Sequence, residues 1–293
     1  MQPPFPCPVA TWRNDTYEAI SPSRPELSVA GKTVVIIGAG GGIGQETALA
    51  FAAAGASDIA LLGRTETTLT ETASKIKAAS KCLPVIHVAD ITNEADLDKA
   101  AATIGKWHVF VICCGWCPAP SPLVSSGVGD WWEGYEVNVK GTLLAAKTFL
   151  PTAHRPNAAF LAVISDVSFM PAAHLPGLSS YISANLAKAK IFEFLAAENP
   201  DVFVATMHPG MVDTDNFRRS GATPEGLPMD TDLSLNMWPV RLPAHFLVWL
   251  ASPEAAFLRG RCASANWDVE ELKAQRVKYT DSLFMSFGSK GLP

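Results

Sequence analysis

From Gly31 onward, short runs of β-branched and aliphatic residues alternate with longer stretches of helical periodicity. Residues 33–37, 58–62, 85–88, 108–113, 160–164 and 202–207 read as strands. The stretches between them, 43–54, 65–79, 93–104, 130–150 and 179–197, carry the spacing of helices. A helix-length connection between successive strands makes them parallel neighbours, joined by right-handed crossovers. The alternation therefore predicts an α/β fold, a Rossmann-type doubly wound parallel sheet in three α/β/α layers. Ligands of such sheets bind outside the carboxyl ends of the strands, so the loops after Ile37, Leu62, Val88, Cys113, Ile164 and Met207 are expected to line a site.

The flanks read differently. Residues 1–30 are Pro-rich and aperiodic, which predicts an arm lying on the domain through Phe5, Trp12 and Tyr17. Residues 31–276 form the expected domain, and 277–293 a tail. Within the domain, 211–240 interrupts the alternation with Gly, Pro, Asp and Thr, as a lid or binding insertion does. A helix over 243–251, a strand over 261–266 and a helix over 269–276 come after it. With 293 residues, 48% of them hydrophobic, the chain fills one core rather than several. A net charge of −5 without a basic block argues against binding nucleic acid or an anionic membrane. No apolar run reaches the roughly 20 residues of a membrane span, and the N-terminus lacks the pattern of a signal peptide. A soluble, cytoplasmic protein with a small-molecule partner is expected. The six cysteines have no framework or metal-ligand spacing, so reduced thiols and no metal are expected. Cys114 and Cys117 match the C-x-x-C spacing of redox dithiols, but they follow a strand and precede Pro118, and they read as packed strand-end residues.

The run Gly38-Ala39-Gly40-Gly41-Gly42-Ile43-Gly44 follows the first strand and opens the first helix. In that context glycines let the backbone approach a pyrophosphate, and the helix directs its free N–H groups and positive dipole end at the charge. At the end of the second strand stands Gly63-Arg64, with no carboxylate for a ribose 2′-hydroxyl. A guanidinium there suits a 2′-phosphate, so NADP(H) is the expected cofactor. The other reading of Arg64 is a solvated residue that begins the second helix.

Together, Gly38-x-x-x-Gly42-x-Gly44, Asn138-Val139-Lys140-Gly141, Tyr181 and Pro209-Gly210-Met211-Val212-Asp213-Thr214, in that order, resemble the short-chain dehydrogenase/reductase family. The resemblance runs from about residue 31 to 268, and the segment near the C-terminus is similar to fungal members. It implies that Ile43 belongs to the nucleotide turn and that Asp90 and Ile91 contact adenine. It also implies that Gly115 closes the fourth strand, and that Pro209, Gly210 and Thr214 form the turn holding the nicotinamide carboxamide. Asn138 then takes the catalytic or scaffold asparagine position and Tyr181 that of the catalytic acid or base. A homodimer or homotetramer, paired through the helices of Asn138 and Tyr181, is implied too.

The chain departs from the family at its reactive positions. Asn185 stands four residues after Tyr181, where the family has lysine. An amide binds a ribose hydroxyl but carries no charge, so Tyr181 is expected near the ordinary phenol value of about 10, an acid rather than a base. Aligning the fifth strand places Asp166 at the catalytic serine position, whereas counting back from Tyr181 selects Ser168. A carboxyl in an apolar site beside a phenol suits proton donation or steering of a cationic substrate, and its other reading is a loop cap. Cys113-Cys114-Gly115 replaces the family's usual Asn-Ala-Gly. Lys188 lies two helical turns beyond Tyr181, roughly 10 Å along the axis, and reads either as a compensating cation or as a lysine reaching solvent. His174 is a second candidate acid or a surface residue. Trp116, Trp131, Trp132, Phe217 and Trp238 suit a bulky hydrophobic substrate of the secondary-metabolite kind. Three functions are compatible with this pattern. The first is an atypical NADP(H)-dependent reductase with Tyr181 and Asp166 as proton donors. The second is a cyclase, isomerase or cycloaddition enzyme that keeps the nucleotide site, and the third a silent binding protein.

Overall fold

The computed structural model describes residues 7–165, 168, 170–219 and 240–280. Seven strands form one parallel sheet: β1 (Thr33–Ile37), β2 (Asp58–Gly63), β3 (Leu83–Val88), β4 (Val109–Ile112), β5 (Ala158–Val163), β6 (Val202–His208) and β7 (Cys262–Ser264). Their order is β3-β2-β1-β4-β5-β6-β7, every neighbouring pair being parallel. The helices that connect them are α1 (Gly42–Ala53), α2 (Glu66–Ala79), α3 (Glu94–Ile104), α4 (Val128–Tyr135), α5 (Gly141–Phe149) and α6 (Ser179–Glu198). After β6 come α7 (Asp215–Arg219), α8 (Arg241–Leu250), α9 (Val269–Ala274) and α10 (Val277–Thr280).

The two-residue period of a strand sorts β1 between two cores. Val34 and Ile36 pack with Phe51 of α1, Ile76 of α2 and Leu247 of α8. Val35 and Ile37 pack with Leu97 of α3, Phe149 of α5 and Phe192 of α6. This is the three-layer doubly wound architecture that the alternation predicts. No helix among the described residues is long and apolar enough to cross a membrane.

The N-terminal segment is built into the first of these cores. Ile20, Leu27 and Val29 are buried in it. Arg13 pairs with Asp268 at 2.6 Å and Arg24 with Glu254 at 2.8 Å. Trp12 bridges to Trp267, and the Tyr17 hydroxyl donates to the Trp267 carbonyl at 3.3 Å. Phe5 lies outside the described residues.

One helix differs in kind from its prediction. The stretch 130–150 is not continuous: α4 gives way to a π-helical turn, Glu136–Lys140, before α5 resumes. A π turn carries one extra residue and rotates the next stretch of helix, and Asn138, buried inside this one, is bonded to the loop after β4. That tertiary contact has no trace in the helical period. Smaller differences lie at element ends. β3 begins at Leu83 and includes Pro84, which an edge strand tolerates. The strand predicted over 261–266 contracts to β7, and the final helix divides into α9 and α10.

Candidate active site

The nucleotide cleft is shaped where β1 and β4 end against α1. Gly38 adopts φ +89°, and a Cβ there would lie 2.7 Å from the Cys114 amide nitrogen. At Gly44 a Cβ would lie 2.0 Å from the Gly38 carbonyl oxygen, so α1 starts flush against the turn. The residue before α1, Gly41, offers no side-chain cap, which leaves the first N–H groups of the helix for a ligand. The cleft beside this turn has a volume of about 180 Å³, and its walls include Gly38, Arg64, Asp90, Ile91, Gly115 and Trp116. Arg64 is exposed at its rim and makes no ion pair or hydrogen bond among the described residues. Asp90 accepts from the Thr92 amide and hydroxyl, both at 2.8 Å, which fixes its carboxylate. Ile91 is buried against Gly141.

Opposite this wall, the turn after β6 returns to α1. Gly210, at φ +80°, reverses the chain just after Pro209. Thr214 then comes so near that a Cβ on Gly42 would lie 3.3 Å from its methyl group. Ile43 sits half-buried against the core. The cradle and the open helix end fit a dinucleotide.

Asn138 ties the floor to the loop after β4. Its Nδ2 donates to the Trp116 carbonyl at 2.7 Å, and its Oδ1 accepts from the Trp116 amide at 3.0 Å. Gly115 is confined by the same side chain, since a Cβ on it would lie 3.2 Å from Asn138 Oδ1.

Tyr181 lies in the first turn of α6, with the side chains of Ser165 and Asn185 beside its phenol. Burial, and next the nearby Cys117 thiol, push its pKa up to about 12, while the polar side chains of Ser165 and Asn185 oppose the rise. The ordinary value expected from the sequence is thus too low, because a missing lysine says nothing about how deeply the hydroxyl is buried. Asn185 is itself buried and donates to the Tyr181 carbonyl at 2.9 Å. Ser165, which the sequence reading passes over, is the serine that reaches the phenol. It belongs to the same strand-end run of polar residues as the two candidates. Ser168 is buried and its hydroxyl has no hydrogen-bond partner among the described residues, and Asp166 lies outside them.

Lys188 is buried rather than reaching solvent. Its ammonium donates to the Val163 carbonyl at 3.1 Å, at the end of β5, and burial lowers its pKa while the Cys114 and Cys113 thiols act against that. His174 is exposed. None of the six cysteines is in a disulfide, and no cluster among the described residues has the makings of a metal site.

The aromatic candidates divide. Trp131 donates to Ser179 Oγ at 2.9 Å and stacks with Tyr135 at 5.1 Å, so it braces α4 against α6. Trp132 is half-exposed and donates to Glu136. Trp116 lines the cleft, with the guanidinium of Arg219 4.1 Å above its ring. Next to it, the Cys117 amide donates to Asn216 Oδ1 at 2.9 Å, and the Phe217 amide donates to Thr214 Oγ1 at 3.3 Å. Helix α7 is therefore fastened to the loop after β4. Of the lid predicted over 211–240, residues 211–219 carry α7, and 220–239, Trp238 among them, lie outside the described residues.

Comparison with known proteins agrees with this geometry. The model of the short chain dehydrogenase family matches residues 32–225. The short chain dehydrogenase citE of Monascus ruber is 33% identical over 282 residues, 91% of this chain and 92% of that one. A short chain dehydrogenase/reductase of Claviceps purpurea is 33% identical over 292 residues, 97% of this chain and 94% of its own. Among solved structures, a short chain dehydrogenase from Shigella flexneri complexed with NADP superposes with a TM-score of 0.72 at 20% identity, over 83% of this chain and 99% of that one. A nucleotide turn, a Tyr-bearing helix and a matched stretch spanning both lead to one assignment: the chain belongs to the short-chain dehydrogenase/reductase family of oxidoreductases.

Proposed function

We propose that the protein is an atypical, cytoplasmic, NADP(H)-dependent reductase of a bulky hydrophobic, secondary-metabolite-like carbonyl compound. The observation that carries the reading is the Tyr181 phenol, held protonated by burial and flanked by Ser165 and Asn185 in place of the family's lysine. The glycine cradle and the first turn of α1 would hold the pyrophosphate, Arg64 the 2′-phosphate, and Thr214 the nicotinamide end. NADPH, when bound, supplies the hydride.

Tyr181 then donates its proton to the carbonyl oxygen, while Ser165 orients the phenol and shares the developing charge. With a pKa of about 12, Tyr181 is ionised at pH 7 in only about one molecule in 10⁵. It is a poor base, so reduction is favoured over alcohol oxidation. Asp166, beside Ser165 in the chain, is retained as a second candidate donor. Trp116 and Phe217 supply apolar surface to the pocket, for which Trp238 stays a candidate from the sequence alone. A homodimer or homotetramer paired through α4, α5 and α6 is supported by the exposed apolar side chains of Trp132, Leu143, Leu186 and Phe194 on those helices.

The same proton donor without a neighbouring cation also suits a cyclase or isomerase that keeps the nucleotide as part of its pocket. One experiment separates the two. The protein is incubated with NADPH and a panel of polycyclic ketones, and nicotinamide absorbance is tracked beside product. Oxidation matching product, lost in Tyr181→Phe, supports the reductase. Product without oxidation supports the second reading.

A further inference from the structure

The two adjacent arginines of α7 are used differently. Arg218 is paired with Asp213 at 2.7 Å and Asp215 at 3.5 Å. Arg219 has no carboxylate partner among the described residues, and its guanidinium carbon lies over the face of Trp116, 4.1 Å from the ring centre. Stacking on an aromatic ring fixes the plane of a guanidinium and leaves the N–H groups along its edges unspent. The ring beneath cannot drift, because Asn138 holds the Trp116 backbone on both its donor and its acceptor. Nor can α7 drift freely, because Asn216 grips the Cys117 amide. At the edge of the indole, Nε1 is buried without an acceptor among the described residues, a second donor left over beside the first. Trp116, on which this cation sits, lines the cleft, so the guanidinium stands at the wall of the pocket.

We propose that Arg219, seated on Trp116, is a specificity residue for an anionic oxygen of the substrate, a carboxylate or an ionised phenol. This rests on the reductase reading only in placing the substrate beside Trp116. An apolar pocket alone discriminates poorly between molecules of similar shape, whereas a fixed guanidinium forms charge-assisted hydrogen bonds with an oxyanion and rejects its neutral analogue. The substrate class narrows accordingly to bulky aromatic compounds that carry an acidic group as well as a reducible carbonyl.

The test uses naphthalene carboxylate and naphthalene carboxamide, alike in shape and different in charge. Their binding to the full chain is measured by calorimetry, with and without saturating NADPH. The carboxylate should bind at least about tenfold more tightly than the amide, the lower end of what a charged hydrogen bond supplies. Arg219→Gln should bring the ratio close to one without changing NADPH affinity or thermal unfolding, since Arg219 is exposed. Arg218→Gln should leave the ratio intact. A wild-type ratio near one, including no binding of either compound, overturns the proposal. So does a ratio that survives Arg219→Gln, or one lost in Arg64→Gln instead. Failure to bind NADPH at all would sink the reductase reading, yet the nucleotide-free titration would still report on Arg219.

Discussion

Replacing Asn185 by lysine asks why Tyr181 stays a phenol. Asn185 sits one helical turn after Tyr181, buried on the inner face of α6, and presents only an amide to the hydroxyl. Burial pushes the phenol up to about 12, which relative to an ordinary phenol near 10 is at most about 3 kcal/mol in favour of the protonated form. An ammonium about 5 Å away, at an effective dielectric of about 20, stabilises the phenolate by about 3 kcal/mol. The two effects nearly cancel, so in Asn185→Lys the phenol should titrate close to its ordinary value. Ultraviolet difference titration of tyrosinate reads this, with the same titration on Tyr181→Phe and Asn185→Lys/Tyr181→Phe subtracted. Tyr17 and Tyr279, also raised by burial, drop out of the difference. Wild-type Tyr181 should remain silent through the ordinary tyrosine range. An Asn185→Lys protein in which Tyr181 is equally silent would refute the reasoning, because position 185 would then not face the phenol. Wild-type ionisation at or below the ordinary value would refute it too, since a cation such as Lys188 would already be in reach.

Gly44→Ala drives a Cβ to 2.0 Å from the Gly38 carbonyl oxygen, a backbone contact that only a shift of α1 relieves. Such a shift should cost about 1–3 kcal/mol in thermal unfolding and at least about tenfold in NADPH affinity, and near-normal affinity would contradict the packing argument. His245 on α8 is paired with Thr16 Oγ1, and burial, with Arg241 next, holds its pKa down to about 4 from 6.5. Its folded value lies below the unfolded one, so its stabilising share is present above about pH 6.5 and is lost as pH falls toward about 4, up to about 3 kcal/mol. Denaturant titrations across that window should show the loss in the wild type and a flatter profile in His245→Gln; an identical slope in both would remove His245 from the explanation.

The fold was legible wherever the signal was local. β1 and α1 announce themselves through a β-branched run, a glycine turn and a helical period that all lie within residues 33–53. The break between α4 and α5 was not legible, because the π turn answers to Asn138 gripping Trp116, a contact between residues far apart in the chain. At the end of β5, three polar residues compete, and the path of the loop decides which one meets Tyr181; Ser165 does so without matching either way of counting. Helical spacing places Lys188 on the same side as Tyr181, but it does not reveal the Val163 carbonyl that engages its ammonium. The stack of Arg219 on Trp116 joins an insertion to a strand end, and periodicity carries no such information.

Paired titrations of the purified protein with NADPH and with NADH, in the wild type and in Arg64→Gln, test the retained nucleotide site most directly. NADPH should bind at least about tenfold more tightly than NADH, as charge-assisted hydrogen bonds from the otherwise unpaired Arg64 to a 2′-phosphate require, and Arg64→Gln should erase the difference. Equal affinities, a preference for NADH, or no binding of either nucleotide would contradict an NADP(H) site built from this turn and this arginine.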